Sequence, residues 1–302
     1  MKPSLLILAA GMGSRYGSLK QIEAIGPSGE AIIDYSIFDA IRAGFESLVF
    51  VIRKEIEQEF REVFDAKLKG RIATRYVFQE LDSVPQGIRY SPERAKPWGT
   101  AHAVWVARNH ISGPFVVINA DDFYGADSYR SMAEYLEGER KVSESRYCMM
   151  GYRVGHTLSD FGSVSRGVCE SGDGQFLDSV VERTEIAGEG SEIYFRDENG
   201  KRVPLGEDVL VSMNIWGFTP DIFRHLETAF TDFIRVNADR IKAEFYIPTV
   251  INNLVAGGKA SVRIIPARDR WFGVTYKEDK AMAIANIKRL IDRGVYPDNL
   301  WA

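Results

Sequence analysis

Residues 7–21 read ILAAGMGSRYGSLKQ, which sets Gly11 and Gly13 ahead of two cationic side chains, Arg15 and Lys20. Successive backbone N–H groups from Gly11 to Ser14 can form an anion nest, with Arg15 as a forked donor and Lys20 as a mobile point charge. The chemistry this suits is the holding of a polyphosphate. A P-loop would need Lys directly after its second glycine, and here Ser14 and Arg15 follow Gly13. A dinucleotide fingerprint would need its third glycine one residue before Gly17. Taken alone, a bare G-x-G is equally consistent with an ordinary strand-to-helix turn carrying solvated basic residues. A second group with chemical potential is Asp121-Asp122, which closes the apolar run PFVVINA at 114–120. Adjacent carboxylates at a strand's carboxyl end suit a hard cation such as Mg²⁺, which takes one or two of them plus substrate phosphate oxygens. The plainer alternative is a helix-capping pair.

Both groups need a scaffold that sets them side by side. The first half alternates strand-like runs at 4–9, 48–52, 73–79 and 114–120 with helical periodicity: Ile33, Ile37 and Ile41; Ile56, Phe60 and Phe64; 101–109; and Tyr129, Met132, Ala133 and Leu136. Such alternation predicts a mostly parallel sheet covered on both faces, with ligands at the carboxyl ends of its strands. The second half mixes strands at 148–154, 176–184 and 209–218 with a polar hairpin turning near Asn199-Gly200. Helices are expected over 220–235, 244–257 and 277–293, the last with Met282, Ala285, Ile287 and Leu290 toward a core. Residues 82–98, rich in Pro and charge, read as a loop-like insertion.

Composition narrows the classes of partner. The chain has 302 residues, 45% hydrophobic and 26% charged, enough to bury a substantial core. A net charge of −4 gives no basic surface for nucleic acid or anionic lipid, and no apolar stretch approaches the roughly 18 residues of a membrane span. Cys148 and Cys169 lack C-x-x-C spacing, so no disulfide framework or structural zinc site is expected. The apolar run from Leu5 to Ala10 is short for a leader and leads straight into the glycine loop, so it reads as a buried strand of a cytoplasmic protein.

The extended string LAAGMGSRYGSLKQ resembles the signature L-A-[AG]-G-x-G-x-R, followed by a Lys, of the nucleotidyltransferase superfamily that includes sugar-1-phosphate nucleotidyltransferases. The resemblance implies that Ala10, Gly11 and Gly13 bind the nucleotide, that Arg15 holds the triphosphate, and that Lys20 contacts the reacting phosphate. The compact R-Y-G-S-L-K spacing is also similar to that of the molybdenum cofactor nucleotidyltransferases, which keeps a different acceptor open. Gln79, with Gly99-Thr100-Ala101-His102-Ala103, resembles the Q…G-T-[AG]-H-A pair of N-acetylglucosamine-1-phosphate uridylyltransferases, which implies that Gln79, Gly99 and Thr100 line the base. An amide both donates and accepts, and a glycine lets backbone approach a flat ring. His102 itself reads as a packed helix residue without a chemical role.

PFVVINADDFYG resembles the strand-G-D-N-x-F-Y-G segment of glucose-1-phosphate thymidylyltransferases, which implies Asp121 as a Mg²⁺ ligand with Asp122 as its neighbour. VVERT at 180–184 looks like V-V-E-K-P, placing Glu182 on sugar hydroxyls, with Arg183 in place of the usual Lys. VSMNIWGFTPDIF at 211–223 parallels another sugar-site strand and offers Asn214 as a sugar contact. WFGVTYKEDK at 271–280 aligns with the segment that carries a second metal ligand. This chain has Gly273 at the carboxylate position and Thr275 where the uridylyltransferases use Asn. Thr275 is therefore the second metal candidate, with Asp269 or Asp279 as substitutes if the loop folds differently.

Together these resemblances imply a three-layer α/β/α Rossmann-like (GT-A-like) fold with a mixed, mostly parallel sheet. They imply a single domain over 1–302, with a nucleotide-binding half at 1–140 and an acceptor-binding half at 141–302. The implied reaction is nucleotidyl transfer from an NTP, UTP or dTTP favoured, to a sugar 1-phosphate, with Mg²⁺ as cofactor and pyrophosphate released. The implied partners are the NTP and a phosphorylated small-molecule acceptor, with neither nucleic acid nor membrane. Two alternatives stand beside it: a nucleotidyltransferase with a non-sugar phosphorylated acceptor, and a catalytically weak nucleotide-sugar sensor, suggested by Gly273 and Thr275.

Overall fold

The computed structural model describes residues 1–11, 22–138, 145–159, 162–190, 192–274 and 279–302. In chain order the elements are β1 (Ser4–Leu8), α1 (Ile32–Arg42), β2 (Ser47–Ile52), α2 (Glu57–Leu68), β3 (Ala73–Phe78), α3 (Thr100–Val106), β4 (Phe115–Asn119), β5 (Asp122–Phe123) and α4 (Ala126–Gly138). There follow β6 (Arg146–Arg153), β7 (Val164–Glu170), β8 (Ser179–Glu189), β9 (Glu192–Arg196), β10 (Arg202–Leu205), β11 (Leu210–Phe218), α5 (Ile222–Asn237), α6 (Ile247–Ala256), β12 (Ser261–Pro266), β13 (Phe272–Gly273) and α7 (Asp279–Asp292).

One large sheet runs β10-β9-β8-β7-β11-β4-β1-β2-β3, with β6 between β11 and β12. Pairing is parallel among β4, β1, β2 and β3 and between β6 and β12, and antiparallel through the rest. The inner parallel strands β1, β2 and β4 are almost wholly apolar because both of their faces are covered, whereas β3 at the edge carries Thr74 and Arg75. On β1 and β2, Leu5, Ile7, Leu48, Phe50 and Ile52 point into one core with α1, α2 and α4, while Leu6, Val49 and Val51 point into a second core with α3, α5 and α6. That alternation makes three layers. A smaller third core joins α1 and α7 to Phe123 of β5 and Phe272 of β13, whose rings stack at 4.3 Å.

Local chemistry fixes the ends of these elements. The side chain of Asp34, at the third position of α1, accepts the Ala31 N–H at 2.8 Å and so caps the helix start. The C-terminal residues clasp the same helix: Tyr296 Oη donates to Asp39 at 2.6 Å and Trp301 Nε1 donates to Asp34 at 2.9 Å.

Four expectations shift. The sequence hid β7 and β12, because Arg166 and Gly167 break the apolar pattern of one and Arg263 that of the other. The strand expected over 176–184 begins at Ser179 instead, because the Asp173 carboxylate turns the chain by accepting the Gln175 and Phe176 N–H groups. The Leu177 N–H then goes to Val262 of β12. On α7 the buried apolar residues are Ala283 and Ile287, and Met282 is 41% exposed, because the third core, with Phe123 and Phe272, takes up the Ala283–Ile287 face. Among the described residues no helix is long and apolar enough to cross a membrane.

Candidate active site

The parallel register does the first part of the assembly. Leu8 pairs with Asn119, and the Ala120 N–H donates to Leu8 O, so the start of the glycine loop and the Asp121-Asp122 turn leave the sheet side by side. Ala10 is buried there, and Gly11 has open space where a side chain would stand. Gly13, Arg15 and Lys20 lie outside the described residues, as does Thr275.

A cavity of about 290 Å³ opens next to that turn. It is lined on one side by Asn119, Asp121 and Asp122, and on the other by Arg166 and Gly167 of β7, Glu182 of β8, and Met213 and Asn214 of β11. Thr100, Tyr246, Pro248 and Trp271 complete its walls. It therefore bridges the parallel and antiparallel parts of the sheet, and it brings Asp121, Glu182, Asn214 and Thr100 to one place.

A break in β11 aims Asn214 inward. Its register against β6 jumps between Ser212 and Trp216, and Asn214 takes a left-handed φ of 61° that asparagine tolerates better than most residues. Its Nδ2 donates to Asn119 Oδ1 at 2.6 Å and its Oδ1 accepts from Trp216 Nε1 at 3.2 Å. Asn119 Nδ2 passes the chain on to Asp122 Oδ2 at 2.9 Å. Tyr124 Oη accepts the Asn119 N–H and lies 3.2 Å from Asp122 Oδ2 and 3.0 Å from Met213 O, with one proton to give to either. Burial holds that phenol protonated, its pKa pushed well above the ordinary value. Asn119 is thus the hub between the two halves, and nothing in its strand-end position marks it in the sequence.

The residue opposite Asp122 is Gly273, paired with it across β5 and β13. A Cβ at 273 would stand 2.6 Å from Asp122 Oδ1 and 2.8 Å from the Trp271 ring. A side chain at 273 would therefore have to displace the Asp122 carboxylate and the Trp271 ring. The two suggested substitutes are used elsewhere. Asp269 accepts the Asp127 N–H at 2.8 Å and caps the start of α4, and Asp279 is buried at the start of α7, 3.4 Å from Ser159 Oγ. Among the described residues, no group of three or more His, Cys, Asp or Glu side chains is arranged to hold a metal. Asp121 and Asp122 are, among the described residues, the adjacent carboxylates on the cavity wall, and two carboxylates suit Mg²⁺ when phosphate oxygens fill the remaining positions.

Gln79 and Gly99-Thr100 are brought together, although of the three only Thr100 lines the cavity. Gln79 Nε2 donates to Gly99 O at 2.9 Å and lies 3.1 Å from His102 Nδ1. His102 Nε2 lies 2.7 Å from Ser83 O, an acceptor, so the proton sits on Nε2 and Nδ1 accepts from Gln79. His102 is packed as expected, and it also orients Gln79. Burial lowers its pKa to about 4, so the ring is neutral at physiological pH. Gly99 has a reason of its own: with φ at 116°, its Cβ would meet Phe245 O at 2.5 Å. Phe245 holds that approach by donating N–H to Trp98 O and accepting N–H from Ala101. The close approach seen here is thus to protein backbone.

Glu182 lines the cavity from β8. Loss of solvent raises its carboxyl above the usual range, and Arg166 opposes that shift. Arg183, its neighbour, turns away and lies 4.7 Å over the Phe195 ring.

The sequence profile of the Nucleotidyl transferase family matches residues 4–226. The UTP–glucose-1-phosphate uridylyltransferase of Bacillus subtilis is 31% identical over 162 residues, covering 46% of this chain and 54% of that protein, so the match spans about half the relative's length. A solved UDP-glucose pyrophosphorylase complexed with UDP-glucose superposes with a TM-score of 0.62 at 16% identity, covering 96% of this chain and 99% of the other. The inositol-1-phosphate CTP transferase of T. maritima does so with a TM-score of 0.63 at 13% identity, covering 95% and 96%. These two structures share the α/β fold of this chain. With three quarters of its length inside the family profile, the chain belongs to the nucleotidyl transferase family.

Proposed function

We propose that this protein transfers a nucleotidyl group from UTP or dTTP to a sugar 1-phosphate, forming a nucleotide sugar and releasing pyrophosphate. The observation that carries the reading is one cavity that joins Asp121 and Asp122, at the end of β4, to Glu182 and Asn214 in the antiparallel half. Transfer of this kind needs two anionic substrates placed end to end, and a cavity with those two ends suits it.

In this reading an oxygen of the acceptor phosphate attacks the α-phosphorus in line as pyrophosphate leaves. An anionic nucleophile needs no general base, so the work is positioning and charge neutralisation. Arg15 and Lys20 meet the triphosphate, Ala10, Gly11 and Gly13 cradle it, and Gln79, Gly99 and Thr100 fix the base. Glu182 and Asn214 hold acceptor hydroxyls. Asp121 and Asp122, with Thr275 as a further oxygen, would hold Mg²⁺, which supplies positive charge to the phosphate oxygens when bound. Cys148 and Cys169 are buried and form no disulfide, which supports a reducing compartment such as the cytoplasm.

The test is pyrophosphate release with Mg²⁺, each of the four NTPs and dTTP, and a panel of sugar 1-phosphates and phosphorylated alcohols. Release with UTP or dTTP and a sugar 1-phosphate is expected. Release only with a phosphorylated alcohol would replace the acceptor in this reading, and nucleotide binding without any release would support the sensor.

A further inference from the structure

Arg166 sits on β7, and its burial is unusual for its charge. The residue is 9% exposed, lines the cavity, and lies 4.7 Å over the ring of Trp271, which lines the cavity as well. Its guanidinium donates to the backbone carbonyls of Ser165 at 2.8 Å and Thr157 at 2.5 Å. Among the described residues its Nε has no hydrogen-bond partner, and neither has Trp271 Nε1, both atoms being closed off from solvent. The stacked pair therefore sets a rigid, positively charged patch into the cavity wall.

The electrostatic setting says what they could meet. Among the described residues that line the cavity, Arg166 is the one cationic side chain, against Asp121, Asp122 and Glu182. Burial lowers its pKa to about 10, with Asp122, Glu182 and Asp279 opposing the shift, so it stays charged at neutral pH. If Arg166 served only to balance those carboxylates, its hydrogen bonds would go to them. They go to backbone carbonyls instead, which fixes the plane of the guanidinium and keeps its charge available. A preorganised guanidinium on a cavity wall, with its hydrogen bonds given to neutral carbonyls, offers a fixed positive charge suited to a phosphate.

Position completes the argument. Trp271 and Asp122 are both packed against Gly273, and Arg166 lines the cavity with Asp122 and Glu182. The pair thus shares one cavity with the residues assigned to the transferring phosphate and to acceptor hydroxyls. We propose that the stacked Arg166–Trp271 pair binds the phosphate of the acceptor, a phosphate monoester, and so selects phosphorylated over unphosphorylated acceptors. This rests on the function proposed above, and it assigns the acceptor's charged group to a residue outside the recognised motifs.

The test is calorimetric binding to the full chain, saturated with Mg²⁺ and a non-hydrolysable UTP or dTTP analogue. The probes are glucose 1-phosphate, N-acetylglucosamine 1-phosphate, inositol 1-phosphate, glycerol 3-phosphate and unphosphorylated glucose. Wild-type protein should bind at least one phosphate monoester and prefer it to glucose. Arg166→Gln should weaken that binding at least tenfold while leaving the affinity for the nucleotide analogue within twofold, and Trp271→Phe should weaken it about threefold. Arg166→Lys, which keeps the charge and loses the fork, should fall between and shows the effect if the glutamine variant does not fold. Equal losses for nucleotide and acceptor, no loss in these variants, or no monoester bound by the wild type would each overturn the proposal. Monoester binding that depends on Arg166, with no pyrophosphate released from any NTP, would instead remove the proposed reaction and leave this site standing.

Discussion

The parallel and antiparallel parts of the sheet build the same cavity by different means. In the parallel part the backbone does the placing: β1 and β4 end in register, and the glycine loop and the Asp121-Asp122 turn follow from where those strands stop. In the antiparallel part individual side chains do it. Glu182, Arg166 and Asn214 come from three strands, and Asn214 depends on a register break and a left-handed backbone. A backbone-built site tolerates many side chains but few changes of geometry, and a side-chain-built site has the opposite sensitivity. Substitutions in the two parts should therefore fail in different ways.

The largest effect is expected at the carboxylate pair. Asp121→Ala should lower kcat by roughly 10²–10³, about 2.7–4 kcal/mol of barrier, with the thermal midpoint little changed, since the residue sits on the cavity wall. Steady-state pyrophosphate assays beside thermal unfolding would show both. Next comes Gly99→Ala, which combines a positive φ with a Cβ placed 2.5 Å from Phe245 O. A loss of roughly 3 kcal/mol in denaturant-measured stability is expected. A loss confined to activity would mean that the glycine serves the nucleotide and not the packing.

Acid should strain the parallel part selectively. The folded-state pKa of His102 is lowered from 6.5 to about 4, so the unfolded chain takes up the proton more readily. The stability this contributes is present in full above pH 6.5 and is lost as pH falls toward 4, about 2 kcal/mol by pH 5. Chemical denaturation at pH 7 and pH 5 should show that slope in the wild type and a flatter one in His102→Gln. The smallest effect is expected at Asn214→Ala, about 1 kcal/mol of stability from its lost hydrogen bonds. Its acceptor KM should rise while its nucleotide KM holds, and parallel rises in both would blur the contrast drawn here.

The same contrast explains what could be read from the sequence. β1, β2 and β4 are nearly continuous apolar runs because both faces are buried, so these strands were legible, and with them the strand-end position that puts Asp121 on the cavity wall. On β7 a charged residue and a glycine interrupt the pattern, so neither the strand nor Arg166 could be found. Arg166 looks like a surface residue until the Trp271 ring and two backbone carbonyls enclose it. Asn119 is hidden for a similar reason, because its value lies in linking Asp122 to Asn214, 95 residues away in sequence. Gly273 was visible as a departure from a motif, and only the pairing of β5 with β13 shows that Asp122 occupies its space.

The central claim concerns which bond breaks, and a doubly labelled nucleotide tests it directly. UTP and dTTP carrying distinct labels at the α- and γ-phosphates would be incubated with Mg²⁺ and the sugar 1-phosphate panel, and the products separated. The account predicts the α-label in a nucleotide sugar and the γ-label in pyrophosphate, in equal amounts. Recovery of the γ-label as orthophosphate or on the sugar, with the α-label left in a nucleoside diphosphate, would contradict it.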